Sequence, residues 1–167
     1  MKEQKNKTLN SFWPFEKFLT IDLNISDIER EQIKVMLNYS KSVDPTNTTT
    51  YGQRVSILEL PSLTNLKKQI IEILNDLNLT LLNNWGQLYK KGEHIRPHIH
   101  IGSKTSGILY VDGKTTKGTY FVNTIDGHIY EHPFKKNELV LFPSNLMHYV
   151  PHEIEDNGRT VLAFNAR

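Results

Sequence analysis

From Leu81 to Arg167 short apolar or alternating runs follow one another closely, at 84–90, 95–101, 107–112, 118–123, 128–132, 138–142, 146–150 and 159–165, separated by glycine, asparagine and lysine turns. Eight runs of strand length in so short a stretch suggest a β-sandwich or barrel of the jelly-roll type. The whole chain has 167 residues, the size of one domain with a real core. One active centre is therefore expected.

The preceding half has a different texture. Residues 1–10 are polar and aperiodic and read as a flexible tail, with order beginning at "SFWPFEKFLTIDL". Ser26 and Glu29 have capping-box spacing, and Ile28, Met36 and Tyr39 with Ile33 and Val35 form a partly helical stripe, so a helix is expected from Asp27 to Ser40. The stretch 44–53, "DPTNTTTYGQ", is a polar loop. Pro61 then precedes Leu63, Leu66, Ile70, Leu74 and Leu77 at helical spacing, which predicts a packing helix over 62–78. The expected organisation is a single domain over 1–167: tail to residue 10, helical support region at 11–80, jelly-roll core at 81–167.

Charge and composition narrow the function. A net charge of +2, with no basic block, gives no indication of nucleic-acid or membrane-surface binding. The absence of cysteine removes disulfides, thiolate zinc sites, iron–sulfur clusters and cysteine nucleophiles. A metal here must be held by histidine, carboxylate or water. The leading "MKEQKNKTLN" is not followed by an apolar signal region and no run approaches membrane-span length, so a cytoplasmic protein is expected.

Three of the seven histidines fall within residues 94–100. In a strand over 95–101, His98 and His100 would share one face, about 6 to 7 Å apart at the backbone, with Ile99 and Ile101 anchoring the other. His128 and His132, four apart in a strand, would be roughly 13 Å apart and read as surface or hairpin residues. His148 stands on an otherwise apolar face with Leu146 and Val150, either as a satisfied core imidazole or as a ligand. Arg159 lies eleven residues further on and opens a strand whose Val161, Ala163 and Asn165 share its face.

These intervals resemble those of the Fe(II) and 2-oxoglutarate dependent oxygenases, especially the prolyl-4-hydroxylase-like branch and its small relatives. Tyr89-Lys90-Lys91-Gly92 is followed after six residues by His98-Ile99-His100, then by His148 and Arg159. The flanking "SGILYV", "NELVLFPS" and "RTVLAFNAR" look like the family's strands around its ligands. "YGQRVSILEL", the 62–78 helix and "NNWGQLY" resemble the N-terminal half of the small relatives, so the resemblance spans nearly the whole chain. Two departures stand out: His100 replaces the aspartate of the H-x-D motif, and Ile95 stands where prolyl hydroxylases often have a tyrosine.

The resemblance implies a double-stranded β-helix core, a jelly roll, behind N-terminal helices. It implies an oxidoreductase with Fe(II) on His98, His100 and His148, three positions remaining for 2-oxoglutarate and O2. The far carboxylate of 2-oxoglutarate would pair with Arg159, assisted by the hydroxyl of Tyr89 or Thr160. Tyr110 and Asn165 are further candidates for contact with the bound acid, and Ser106 with Gly107 for close strand packing near the site. The product would be an alcohol made from an unidentified substrate, protein or peptide being suggested by analogy with peptidyl proline. A third imidazole in place of the carboxylate makes high-valent iron harder to reach and discrimination against zinc weaker. Two other readings remain open: a cupin-type three-histidine dioxygenase that uses no cosubstrate, and a non-catalytic jelly-roll binding module that contains metal.

Overall fold

A computed structural model of the chain describes residues 7–13, 16–39, 56–154 and 158–167; the polar loop expected at 44–53 lies outside them. Each of the eight expected C-terminal runs forms a strand: β3 (Leu81–Tyr89), β4 (Ile95–His98), β5 (Thr105–Gly113), β6 (Thr119–Val122), β7 (Ile129–His132), β8 (Glu138–Pro143), β9 (Met147–Val150) and β10 (Arg159–Ala166). They follow β1 (Lys7–Trp13), β2 (Glu16–Asp22) and two helices, α1 (Asp27–Tyr39) and α2 (Thr64–Asp76). One sheet has the order β1-β2-β8-β5-β10-β3 and the other β4-β9-β6-β7. Leaving β1 and β2 aside, the chain changes sheet after nearly every strand. The result is two facing four-stranded layers, a double-stranded β-helix.

The central strands are apolar on both faces because both faces are covered. Along β5, Ile108, Leu109, Tyr110 and Val111 are all buried. Leu109 and Val111 join Leu139, Leu162 and Phe164 in a cluster with Ile33, Leu37, Ile70 and Leu74 of the helices. Ile108 and Tyr110 face the smaller sheet, among Phe121, Val140, Phe142, Leu146 and Val161. A Cβ at Gly107 would fall 2.2 Å from the Phe164 ring, so this glycine lets β5 and β10 pair with the ring lying across them. Close strand packing was the role its sequence position suggested.

The N-terminal region differs from expectation in two ways. Residues 7–10, read as tail, belong to β1, paired with β2 through Lys7↔Ile21, Thr8↔Thr20, Leu9↔Leu19 and Asn10↔Phe18. An edge strand is held by its backbone ladder and needs no apolar periodicity, which is why hydropathy misses it. The support region at 11–80 is therefore strand and helix together. In α1 the stripe also lies elsewhere: Ile28 and Tyr39 are exposed, whereas Glu29, Arg30, Ile33 and Leu37 are buried. Glu29 closes the expected capping box with Ser26, accepting from its backbone N–H at 2.9 Å while Ser26 Oγ accepts from the Glu29 N–H at 3.2 Å. Its other oxygen accepts the Leu66 N–H at 3.0 Å and so ties α1 to α2. In α2 the stripe is as expected through Leu74, while Leu77 is partly exposed just past its end.

Candidate metal centre

His98 ends β4 and sits opposite His148 of β9 in the antiparallel register. The strand stops there, against the expectation of a run to residue 101, because the His100 N–H donates to the Ser144 carbonyl at 2.8 Å and the chain turns. Ile99 and Ile101 are consequently exposed and do not anchor a second face. The turn nevertheless brings His100 to the other two. One ligand nitrogen from each of His98, His100 and His148 lies within 4.8 Å of the others, close enough to hold one metal ion.

Hydrogen bonding prepares two of the rings as ligands. His98 Nδ1 lies 2.9 Å from the Arg96 carbonyl and His148 Nδ1 2.9 Å from the Leu146 carbonyl. A carbonyl only accepts, so each Nδ1 carries the proton and each Nε2 keeps its lone pair. His100 is held less firmly, its Nδ1 3.5 Å from the Asn165 amide, while Trp85 packs 5.6 Å from its ring centre. Burial pulls the His98 pKa below its usual value despite the bond to Arg96. Burial, with the neighbouring His98, takes His100 to about 4. His148 falls to about 3 through burial first and then the two other imidazoles, against the bond to Leu146. Neutral imidazoles are the form a metal requires.

Behind the histidines lies a cleft, lined by Tyr89, Tyr110, Thr119 and Arg159 together with the three ligands. Arg159 is 1% exposed. Its Nη1 donates to the Lys117 and Gly118 carbonyls at 2.7 and 2.6 Å, and its Nε lies 3.6 Å from Glu153 Oε2. Among the described residues neither Nη2 nor Nε has a hydrogen-bond partner. The Tyr89 ring lies under the guanidinium, 5.0 Å from ring centre to Cζ. Gly158, at φ +45°, sets the approach: a Cβ there would collide with the Tyr89 carbonyl.

Other residues singled out in the sequence fall in varied places. Thr160 is buried on the opposite face of β10, paired with Leu88, and does not line the cleft, because alternation turns it away from Arg159. The Tyr89 hydroxyl donates to Gln87 Oε1 and Tyr110 donates to Thr119 Oγ1 at 3.0 Å, burial raising the pKa of both tyrosines. Asn165 supports His100 from the cleft's outer lip and accepts from Ser106 Oγ at 2.8 Å. His132 is buried, not superficial, with Nε2 2.8 Å from Glu138 Oε1. The sequence reading missed Thr119 and Glu153. Thr119 was recoverable as the inward alternate of Phe121 in "TYFV", whereas nothing local marks Glu153.

No protein-family model and no curated protein sequence matches the chain. Solved structures do. The viral collagen prolyl hydroxylase of Paramecium Bursaria Chlorella virus-1, solved with 2-oxoglutarate, superposes with a TM-score of 0.65 at 14% identity, over 90% of this chain and 95% of that one. A Pseudomonas putida prolyl-4-hydroxylase gives 0.60 at 18%, over 90% and 91%. HygX from Streptomyces hygroscopicus, holding nickel, 2-oxoglutarate and hygromycin B, gives 0.64 at 15%, over 89% and 82%. In fold, this chain is a double-stranded β-helix of the kind found in the 2-oxoglutarate Fe(II) oxygenases. Prolyl hydroxylases stand among its structural neighbours, as the sequence intervals implied. Among the described residues, no helix is long and apolar enough to cross a membrane.

Proposed function

We propose that the protein is an Fe(II) and 2-oxoglutarate dependent oxygenase that hydroxylates a C–H bond. The observation that carries this reading is Arg159: a fully buried cation that lines the same cleft as the three histidines and whose Nη2 has no hydrogen-bond partner among the described residues. A buried guanidinium nitrogen without an acceptor is costly, and the natural occupant is a carboxylate. A small diacid with one end at the metal and the other at Arg159 would supply it. This is what 2-oxoglutarate requires.

His98, His100 and His148 would hold the iron. Bound there, the iron supplies activation of O2, which decarboxylation of 2-oxoglutarate to succinate couples to substrate hydroxylation. The chain's own residues do the rest. The bonds from His98 and His148 to backbone carbonyls fix the ring planes. Thr119 Oγ accepts from Tyr110 and would donate its own proton towards the far carboxylate. Ile108, Phe142, Val150 and Val161 wall the cleft with apolar surface, which excludes water and strengthens the charge pairing within. A protein or peptide substrate, with proline as the analogy, remains part of the proposal.

The deciding experiment adds Fe(II) and 2-oxoglutarate without oxygen to metal-free protein and looks for the weak visible absorption of the chelate. His148→Ala should abolish it and Arg159→Ala should weaken it. Metal binding with no such absorption would favour the three-histidine dioxygenase that needs no cosubstrate, a reading that the third imidazole at His100 supports.

A further inference from the structure

Beside Arg159 lies a second buried charge that the proposed oxygenase reaction does not use. Glu153 is 3% exposed and sits in the segment between β9 and β10. Its backbone is pinned on both sides to the turn after β3: the Gly92 N–H donates to its carbonyl at 2.7 Å and its own N–H donates to the Glu93 carbonyl at 2.9 Å. Glu153 Oε1 accepts the Ile154 N–H at 2.9 Å, and Oε2 is left facing Arg159 Nε at 3.6 Å.

We infer that Glu153 is a positioning residue: its carboxylate, at ion-pair distance from Nε, orients the Arg159 guanidinium so that Nη2 is the terminal nitrogen kept for a ligand in the cleft. The planar fork of an arginine offers a limited set of edges to its neighbours. Here two backbone carbonyls take Nη1 and the carboxylate faces Nε at ion-pair, not hydrogen-bond, distance, which restrains the plane and leaves Nη2 without a hydrogen bond among the described residues. Glu153 also compensates the buried positive charge when the cleft is empty. Two carbonyls hold a guanidinium by one nitrogen about which it can still pivot; the carboxylate removes that freedom. The same backbone pins that fix Glu153 run to the Tyr-x-x-Gly turn, so the interval from Tyr89 to Gly92 acquires a second role: it anchors the carboxylate that aims the arginine.

The inference can be tested without cosubstrate. In metal-free protein the Arg159 Nε–Hε cross-peak should be sharp and slow to exchange with water, assigned by its loss in Arg159→Lys. Glu153→Ala should broaden it or speed its exchange. Glu153→Gln, which keeps an acceptor of the same shape, should shift the peak and preserve its protection. Where 2-oxoglutarate binds, the alanine variant should weaken it about tenfold and the glutamine variant less, since what is at stake is the orientation of the charge-assisted hydrogen bond that Arg159 would give the ligand. A folded Glu153→Ala with wild-type cross-peak and exchange would overturn the inference. If that variant does not fold, a Glu153→Gln peak unshifted from wild type would overturn it equally. The expected cross-peak changes in a protein that binds no 2-oxoglutarate would leave the positioning role standing and defeat the oxygenase reading instead.

Discussion

Among the described residues two arginines are buried, one on each side of the large sheet, and their partners differ. Arg30, on the helix side, donates through Nη1 to the Val111 carbonyl and to Asn137 Oδ1 at 3.0 Å, and through Nη2 to the Ile25 carbonyl at 2.8 Å. Both of its terminal nitrogens are used. Arg159, on the cleft side, uses Nη1 alone. A cation whose terminal donors are all bonded inside the fold is a clasp between elements, here joining α1, β5 and the turn before β8. On the proposed reading, a cation left with an unbonded donor beside a cleft is there for an anion. Two buried side chains of one type are thus bonded differently, and on the proposed reading that difference in hydrogen bonds separates their work.

The largest expected effect tests that contrast directly. Arg159→Ala should weaken 2-oxoglutarate binding at least about a hundredfold, given about 3 to 5 kcal/mol for breaking a buried charge pair, with the fold retained. Calorimetric titration of the anaerobic Fe(II) protein measures this, and unchanged affinity would assign Arg159 to structure. Arg30→Ala should do the opposite. It orphans the Val111 and Ile25 carbonyls and should cost about 2 to 4 kcal/mol of stability in urea unfolding, with little change in cosubstrate affinity once folded.

Gly158→Ala sharpens the comparison by disturbing the seat of one arginine without touching its charge. The new Cβ must push the β10 backbone away from the Tyr89 carbonyl, at about 1 to 3 kcal/mol. Cosubstrate affinity and stability should fall together, unlike in either arginine variant. Equal melting curves for variant and wild type would mean that the close approach is not obligatory.

A separate effect is set by pH. The three imidazoles are pushed below the usual 6.5 in the folded protein, to about 4 for His100 and about 3 for His148. Unfolded chains therefore bind more protons than folded ones in this window, and stability rises with pH there. Metal-free protein should be most stable above pH 6.5 and should lose stability steadily as pH falls from there towards 4. His148→Leu should flatten that slope, and a wild-type profile level from pH 7 to 4 would show that the imidazoles are not held neutral by burial.

Much of this was readable along the chain. The eight C-terminal strands, α2, and the capping box of Ser26 and Glu29 follow from alternation, helical spacing and local hydrogen-bond chemistry. The gathering of His98, His100 and His148 was implied by the family resemblance that their intervals carry. The route was not: His100 reaches the cluster from a turn pinned by the Ser144 carbonyl, because a bond to a distant loop outweighs strand alternation. The buried face of α1 was misjudged for a related reason. Ile28 and Tyr39 satisfy hydropathy, but Glu29 and Arg30 find acceptors and donors on other elements and so can be buried.

The sequence by itself determined the periodicities, the turns and the kinds of side chain available for a metal, since these depend on near neighbours and on composition. Only the tertiary structure decided which charges are satisfied. Whether Arg159 keeps an open nitrogen, and whether Glu153 stands beside it, depends on carbonyls and backbone pins contributed from Gly92 to Gly118, groups that no local pattern relates to residue 159. Burial makes those long-range partners decisive, because water is no longer there to replace a missing one.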